Sequence, residues 1–542
     1  MDTSAQRPMA TTTAGQVAGR FRGADLVEFR GIPYAETPVG DLRWAPPQRC
    51  EPWHYLRDCS KYSPVAWQRG GEHDFSRAVI NGLGLSAIKT KLLLLGVKWA
   101  PLKESEDCLA LNVVAPRDAS DLPVMVWIHG GDHTDGAGSS PPYRGSALPR
   151  RGCVLVTINY RLGLFGFYGH PDLSTESEDG SFGNVGLLDQ IAAIEWVKEN
   201  AASFGGDPSN ITIFGESAGG RAVLNLMAAP AARGLFSGAI AQSPSDTGMW
   251  LDASRPTLTS SAVSEASTRF ADAAVGEGEG QLERLRAMSA ADLMALYRSR
   301  DDLAKHFYPF VGGSQLAMSP FTTFADGDQA PVPLICGHNA HEGSAFVDNT
   351  HAVGSEYNDL DPGSDDVRTA LAHVYSEAEI DQLIDSYPGL DSDNRDAIST
   401  YLGDHMFGVQ VEHVVRCHAE SGHPTYRYHF RGLPGSPHQT IGAFHASDIA
   451  PLFDTALPLV DPGEGYRELS DAMGEYWSTF AAQGHPSGQP DWLPYDPTDP
   501  RYMVFERAVD GSTAAHLEPA PLLAGSRLMH RRFESLIEDD RA

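Results

Sequence analysis

The chain has 542 residues, of which 42% are hydrophobic and 21% charged, a composition typical of a large globular protein with ample material for a core. Its formal net charge of −30 argues against nucleic acid as a partner, because phosphates would be repelled. The longest apolar run, residues 92–97, is too short to span a bilayer, so we expect no stable membrane insertion.

The N-terminal residues and the cysteines favour a cytoplasmic protein. Residues 1–8 contain no apolar stretch of the kind found in signal peptides. The six cysteines form no C-x-x-C pair and have no metal-ligand spacing with histidine. Free thiols in a reducing compartment are the default interpretation of this pattern.

Apolar runs alternate with an amphipathic helix along the first half of the chain. Continuous apolar runs predict buried strands, and a helical stripe over residues 187–197 predicts a helix. The alternation predicts a mostly parallel sheet covered by helices on both faces, with the reactive residues beyond the carboxyl ends of its strands. The predicted strands cover residues 123–128, 154–160, 210–214, 239–243 and 334–337.

Two polar stretches with helical periodicity interrupt this alternation, at about residues 252–305 and 355–400. No Gly/Ser-rich or Pro-rich linker separates them from their surroundings. We therefore interpret them as cap-like helical insertions in a single catalytic domain spanning residues 1–542.

The most informative motif is G-x-S-x-G at residues 215–219, between the strand at 210–214 and a predicted helix. A serine on such a strand-to-helix turn is held on a sharp bend with its hydroxyl accessible to substrate. Gly215 and Gly219 are needed there because any side chain would collide across the turn. The pattern alone also occurs by chance, so its context is what predicts Ser217 as a nucleophile.

A serine nucleophile needs a base, and the base needs an orienting acid. Glu342 follows the strand at 334–337, and His445 lies on a Gly/Ala-rich loop, which gives the order serine, acid, histidine. Asp448 is a second candidate for the acid. Glu216 either tunes the field at the site or bonds neighbouring backbone, and the sequence leaves both alternatives open.

The histidines beside Glu342 also suggest a metal site. His338, His341 and Glu342 cluster in sequence, but their spacing is not H-E-x-x-H. We therefore expect no metal. Stabilisation of the oxyanion is expected from the backbone N–H groups of Gly131 and Asp132, which follow the first strand, and of Ala218.

Further blocks accompany these residues over nearly the whole chain. With them, the chain resembles the type-B carboxylesterases, the cholinesterase-like branch of the α/β-hydrolases. The resemblance implies an α/β-hydrolase fold and no cofactor, with Ser217 as nucleophile, Glu342 as acid, His445 as base, and Gly131, Asp132 and Ala218 as oxyanion donors. The blocks are F-R-G-I-P-Y-A (29–35), L-R-W (42–44), S-E-D-C-L-A-L-N-V (105–113), N-Y-R-L-G (159–163), F-G-G-D-P (204–208), the Ser217 block, E-G (342–343), the His445 block and Y-W-S-T-F-A (476–481).

Three features depart from that family. Asp132 stands where the family usually has Gly or Ala, and we expect its carboxylate to turn outward, toward His133 or solvent. The family's animal members pair the cysteine matching Cys108 with an upstream cysteine, whose position here is Ala66; a bridge to Cys59 stays open. Residues 78–99 exceed the family's usual length and form either a buried cap helix or a hydrophobic flap that admits bulky esters.

The predicted function is hydrolysis of a small, neutral, apolar carboxylic ester through an acyl-enzyme. Hydrolysis of a carbamate or an aryl amide by the same triad is the alternative. A non-catalytic, cholinesterase-like binding protein is less favoured, because all three triad candidates are present. The sequence gives no indication of the oligomeric state or of the acyl and alcohol specificity.

Overall fold

The structure, a computed structural model, describes residues 7–541 except 71, 100–102, 178–179, 246–258, 305, 348–367, 369–370, 373–374, 393, 434, 437, 457–458, 508–513, 521–522 and 524. Its strands are β1 (Met9–Thr11), β2 (Gln16–Ala18), β3 (Arg20–Arg22), β4 (Leu26–Pro33), β5 (Arg57–Asp58), β6 (Ala110–Pro116), β7 (Leu122–Ile128), β8 (Val154–Ile158), β9 (Gly206–Glu216), β10 (Gly238–Gln242), β11 (Leu334–Asn339), β12 (Thr425–Phe430), β13 (Arg501–Phe505) and β14 (Ala515–Pro519).

Helices connect and cover these strands. A π-helical segment, Asp404–Gly408, lies between two of these helices. They are α1 (Glu72–Gly82), α2 (Ala87–Trp99), α3 (Ala147–Arg150), α4 (Gly163–Phe167), α5 (Val185–Asn200), α6 (Ala218–Ala228), α7 (Ser260–Val275), α8 (Gln281–Ala287), α9 (Ala290–Arg298), α10 (Asp301–Ala304), α11 (Pro320–Asp326), α12 (Ser344–Val347), α13 (Glu377–Ser386), α14 (Arg395–Gly403), α15 (Val409–Glu420), α16 (Ile449–Phe453), α17 (Tyr466–Gln483) and α18 (Ser526–Arg541).

Eleven of the described strands form one mixed sheet, in the order β14-β13-β12-β11-β10-β9-β7-β8-β6-β4-β3. The strands from β7 to β13 run parallel to one another. Antiparallel strands flank them on both sides: β14 at one edge, and β6, β4 and β3 at the other. The predicted mostly parallel sheet is confirmed, and each of the five predicted strands belongs to its parallel part.

The side chains of β7 explain why the strand is continuously apolar. Val124, Val126 and Ile128 belong to one buried cluster, together with residues of α5 and α6. Met125 and Trp127 belong to a second buried cluster, together with residues of α17. Successive side chains of a strand point to opposite faces, so a strand covered on both faces is apolar at every position.

Two buried ion pairs lie within the sequence blocks. Arg161 Nη2 lies 2.7 Å from Asp189 Oδ1, and the backbone N–H of Arg161 donates to the same carboxylate. Arg43 Nε lies 2.7 Å from Glu106 Oε1. Removing one partner of such a pair leaves an uncompensated buried charge, so these residues hold the loops beside the sheet.

The first insertion packs onto the loops around α4. Leu282, Leu285 and Leu293 from α8 and α9 are buried in a cluster with Trp44 and Phe165. Residues 252–258 of the first predicted insertion and 355–367 of the second lie outside the described residues. The assignment of the whole chain to one domain stays a prediction.

The structure also addresses the possible Cys59–Cys108 bridge and the question of a membrane-spanning helix. All six cysteines, including Cys59 and Cys108, are free in the structure, so the bridge that the sequence left open is not formed. Among the described residues, no helix is both long and apolar enough to cross a membrane.

The region predicted as a buried cap helix or a flap forms a helical hairpin, α1 and α2. In α1, Val79 is buried against Ile441 and Phe444. In α2, by contrast, Leu92 is 50% exposed and Leu95 is 42% exposed. Of the two alternatives, a fully buried helix does not describe the Leu92–Leu95 run: α1 makes the core contacts, and part of α2 faces solvent.

Candidate active site

The turn between β9 and α6 holds Ser217 in a strained conformation with positive φ, at φ 58° and ψ −126°. Its backbone N–H donates to Gln242 O at 2.9 Å, which fastens the turn to β10. A Cβ at Gly215 would lie 2.5 Å from Gly219 O, and a Cβ at Gly219 would lie 2.1 Å from Ile128 O. The glycines of the motif are thus required by the close approach of the turn to β7 and α6.

Glu342 and His445 are brought together by neighbouring loops. Glu342 lies in the turn after β11, and His341 pairs with Phe444 in an isolated bridge that joins the two loops. His445 Nδ1–H donates to Glu342 Oε2 at 2.6 Å. The two side chains are almost fully buried, which removes competition from water and strengthens the bond.

The second oxygen of Glu342 is also occupied. Glu342 Oε1 accepts a hydrogen bond from the Ser243 hydroxyl and one from the Asn339 backbone N–H, both at 2.6 Å. Three donors therefore fix the carboxylate in one orientation toward His445. Sequence reasoning missed Ser243, because a serine one residue past β10 is 99 residues from Glu342 and carries no motif of its own.

Glu216, the residue before Ser217, faces the other nitrogen of the histidine. Glu216 Oε1 lies 3.2 Å from His445 Nε2, the nitrogen that would exchange a proton with Ser217. Burial alone would lower the pKa of His445, but the carboxylates of Glu216 and Glu342 outweigh burial and raise that pKa to about 9. Burial also raises the pKa of the Glu216 carboxyl to about 8.

Asp448, the alternative acid, is fully buried in a different network. Its carboxylate accepts hydrogen bonds from Gln242 Nε2 at 2.7 Å, Tyr428 OH at 3.1 Å and Asn339 Nδ2 at 3.4 Å. These partners tie the ends of three strands together beneath the site. The geometry thus favours Glu342 over Asp448 as the acid that orients His445.

The loop after β7 carries three consecutive residues with positive φ: Gly131 at 98°, Asp132 at 54° and His133 at 52°. The loop lies against the serine turn, since a Cβ at Gly130 would lie 3.2 Å from Ser217 Cβ. Successive N–H groups in such a conformation form a concave anion site. Ala218 begins α6, so its N–H has no acceptor within the helix.

The sequence predicted that the Asp132 carboxylate turns outward, toward His133 or solvent; in the structure the residue is half-buried and its carboxylate meets a tyrosine. Asp132 Oδ2 accepts a hydrogen bond from Tyr308 OH at 2.9 Å. His133 is 2% exposed, and within the described part of the chain neither of its ring nitrogens has a hydrogen-bond partner. Tyr308, missed by sequence reasoning, follows α10 and lies 176 residues from Asp132.

Aromatic rings surround His445. The ring centroids of Phe407, Phe346 and Phe75 lie 4.5, 5.5 and 6.0 Å from that of His445. They come from three separate segments, including α1 of the hairpin, so no local motif pointed to them. Their faces make the surroundings of the reactive groups apolar.

The two histidines that suggested a metal site have different partners in the structure. His338 is buried beside His429, with ring centroids 5.0 Å apart. His341 Nδ1 accepts from the backbone N–H of Ala443 at 3.1 Å. Among the residues that the structure describes, no cluster of three or more His, Cys, Asp or Glu could hold a metal ion.

A family model described as the carboxylesterase family matches residues 6–519. The chain belongs to the carboxylesterase family. It is accordingly a serine carboxylesterase, a hydrolase of carboxylic esters, and its sheet and flanking helices form the α/β-hydrolase fold.

Named relatives of this carboxylesterase come from bacteria and mammals. It is 34% identical to the fumonisin B1 esterase of Sphingopyxis macrogoltabida, over 88% of this chain and 82% of the relative. It is 34% identical to the para-nitrobenzyl esterase of Bacillus subtilis (strain 168), over 92% of this chain and 95% of the relative. It is 32% identical to carboxylesterase 1D of Rattus norvegicus, over 90% of this chain and 88% of the relative.

Solved structures agree with the sequence relatives. A PNB esterase structure matches with a TM-score of 0.76 and 29% identity, covering 97% of this carboxylesterase and 100% of that chain. The carboxylesterase EST55 of Geobacillus stearothermophilus matches with a TM-score of 0.77 and 28% identity, covering 96% and 100%.

Proposed function

We propose that Ser217, His445 and Glu342 form the catalytic triad of this carboxylesterase, and that the backbone N–H groups of Gly131, Asp132 and Ala218 bind the oxyanion. The observation that carries the proposal is the 2.6 Å bond from His445 Nδ1 to Glu342 Oε2. The other ring nitrogen of His445, Nε2, faces Glu216, the residue before Ser217.

Acylation begins when Ser217 Oγ attacks the carbonyl carbon of the ester while His445 Nε2 takes its proton. The carbonyl electron pair moves to oxygen, and the three N–H groups bind the resulting oxyanion. When the carbonyl re-forms, the bond to the alcohol oxygen breaks, and the proton on Nε2 passes to the departing alcohol.

Deacylation repeats these steps with water. His445 takes a proton from a water molecule that attacks the acyl-serine, and it returns that proton to Ser217 Oγ as the carboxylic acid leaves. In both half-reactions His445 becomes an imidazolium. The carboxylates of Glu342 and Glu216, on opposite nitrogens of the ring, stabilise that cation.

The substrate class follows from the surroundings of the site. The rings of Phe75, Phe346 and Phe407 favour apolar groups beside His445. The net charge of −30 disfavours the approach of an anion. We therefore propose small, neutral, apolar esters as substrates.

The test combines turnover with covalent labelling. A series of p-nitrophenyl esters of rising chain length, with one carbamate and one anilide, gives kcat/KM for the wild type. We expect Ser217→Ala to lower kcat by roughly 10⁴-fold or more, because the nucleophile is lost. A fluorophosphonate label should appear, by mass spectrometry, on the peptide that contains Ser217.

Two comparisons serve as controls. Ser243→Ala removes the serine that bonds Glu342 and should keep the label. The fold-loss of kcat/KM in Glu342→Gln should exceed that in Asp448→Asn more than a hundredfold, because Glu342, and not Asp448, bonds His445 Nδ1. Unchanged turnover in Ser217→Ala would overturn the proposal, and equal losses in the two acid variants would remove Glu342 from it.

A further inference from the structure

The α1–α2 hairpin has a charge pattern opposite to that of the rest of the molecule. No Asp or Glu lies between Asp74 and Glu104, in a chain that contains 71 acidic residues. The chain has seven lysines, and four of them lie in or just after α2: Lys89, Lys91, Lys98 and Lys103. A small basic segment is thus set into a protein with a net charge of −30.

The outer face of α2 is apolar as well as basic. Ile88, Leu92 and Leu95 are 74%, 50% and 42% exposed, and their spacing of four and three residues places them on one stripe of the helix. Lys89 and Lys91 are exposed and lie on opposite sides of this stripe. We call this set of five residues the α2 face.

The hairpin is anchored so that the α2 face points away from the core. Leu93 and Leu94, on the other side of α2, are half-buried. Helix α1 packs against α2 and buries Val79 and Leu83 in a cluster with Ile441. An exposed apolar stripe flanked by lysines is therefore presented by a helix that the rest of the molecule holds in place.

We propose that the α2 face docks peripherally on an anionic phospholipid bilayer. Leucine and isoleucine side chains enter the boundary between headgroups and acyl chains, while lysines keep their ammonium groups at the phosphates. Anionic lipids attract lysines close to the surface even when the protein as a whole is acidic, because attraction acts within a Debye length. A second copy paired through its own α2 face fits less well, since that pairing would bring lysine against lysine.

Membrane docking is separate from ester hydrolysis, but the hairpin that carries the α2 face also contacts the candidate active site. Phe75 of α1 lies 6.0 Å from the His445 ring, between centroids. A bilayer bound to α2 therefore lies on the side of the molecule where α1 approaches the reactive histidine. Binding itself needs no catalysis, so the two proposals can fail separately.

Vesicle co-sedimentation of the full chain tests the proposal. The vesicles contain ether-linked phosphatidylcholine, alone or mixed with ether-linked phosphatidylglycerol; these lipids carry no ester bond for the enzyme to cleave. We expect the wild type to bind the mixed vesicles at low ionic strength, to bind phosphatidylcholine alone weakly, and to be released by high salt. No binding to the mixed vesicles would overturn the proposal.

Two variants and two matched controls locate the surface. Lys89→Glu/Lys91→Glu should weaken binding about tenfold or more, whereas Lys61→Glu/Lys198→Glu changes the net charge equally at exposed lysines outside the hairpin. Ile88→Ser/Leu92→Ser/Leu95→Ser should also weaken binding. Its control, Val39→Ser/Leu56→Ser/Leu493→Ser, changes three exposed apolar residues elsewhere.

Retained turnover of p-nitrophenyl butyrate verifies that each variant is folded. If a variant and its control weaken vesicle binding equally, binding depends on overall charge or hydrophobicity. That result would overturn the assignment to α2. Self-association without vesicles that disappears in the triple serine variant would make a second copy the occupant and would also overturn it.

Discussion

Asp132 places a carboxylate in the loop that carries the proposed oxyanion donors. A negative charge close to a developing oxyanion raises the barrier to its formation, and the effect is strong in a water-poor site. The hydrogen bond from Tyr308 holds this carboxylate in one position. We therefore expect Tyr308 to act as a positioning residue for the proposed oxyanion loop.

Replacing that tyrosine tests its role. Tyr308→Phe keeps the ring but removes the hydroxyl, and we expect kcat to fall on the order of tenfold while KM changes little, because the carboxylate is freed to turn toward the oxyanion. The measurement is kcat and KM for p-nitrophenyl butyrate in the single variants and the double variant.

Asp132→Asn is the second arm of this cycle. With a neutral side chain at position 132, the further change Tyr308→Phe should cost little, and the difference between the two backgrounds is the coupling energy. An equal loss in both backgrounds would mean that the hydroxyl acts through packing and not through the carboxylate.

His445 lies between two carboxylates, and this has a consequence for the pH profile. The base works only when neutral, so activity is lost as pH falls through its pKa, which the two carboxylates raise to about 9. We expect the acidic limb of kcat/KM for the free enzyme to have its midpoint above 6.5, the ordinary value for histidine.

Glu216→Gln removes one of these carboxylates. The midpoint should then move to lower pH, since one negative charge beside Nε2 is gone, whereas Asp448→Asn, farther along the polar network, should move it less. A midpoint that does not move in Glu216→Gln would show that the Glu216 carboxylate does not raise the pKa of His445.

At the scale of the element, the turn from β9 to α6 depends on contacts that a single methyl group would break. A Cβ at Gly219 would lie 2.1 Å from Ile128 O, whereas a Cβ at Gly238 in β10 would lie 3.1 Å from the Thr212 hydroxyl. We expect Gly219→Ala to destabilise the protein by about 3 kcal/mol, and Gly238→Ala, a buried glycine in the same sheet, to cost less.

Denaturant unfolding of both variants gives the comparison, with activity as a second measurement. Gly219→Ala should also lose activity, because any shift of the turn moves Ser217. If Gly219→Ala is as stable and as active as Gly238→Ala, the turn has more room than its backbone distances indicate.

The elements could be predicted because their patterns are local. Continuous apolar runs identified five strands of the parallel part, and residues 187–197 identified α5, which extends from Val185 to Asn200. The G-x-S-x-G motif and the loops after β7, β11 and β12 likewise lie in short stretches of sequence. Exposure was not predictable, because the Leu92–Leu95 run is equally apolar whether a helix is buried or faces solvent.

The contacts between distant segments could not be predicted. Tyr308 meets Asp132 across 176 residues, and Ser243 meets Glu342 across 99. Each depends on how loops pack above the sheet, and no spacing within the sequence encodes that. The sequence therefore located the candidate triad but left the orientation of Asp132 and the aromatic surroundings of His445 to the structure.

In the whole molecule, the order of the strands brings the candidate site residues to one edge of the sheet. Asp132, Ser217, Glu342 and His445 follow β7, β9, β11 and β12, which lie in the order β12-β11-β10-β9-β7 in the sheet. Parallel strands bring their carboxyl ends to one edge, so residues more than 300 positions apart in the chain lie at the same edge of the sheet.

Because His445 lies late in the chain, the candidate site is incomplete during most of synthesis. Ribosomes release a chain from its N-terminus, and Ser217 emerges long before its base. The residues up to β10 can place the serine on its turn, but neither Glu342 nor His445 is present yet. Under the proposed triad, a nascent or prematurely terminated chain that ends before residue 445 therefore lacks the base and should have no esterase activity.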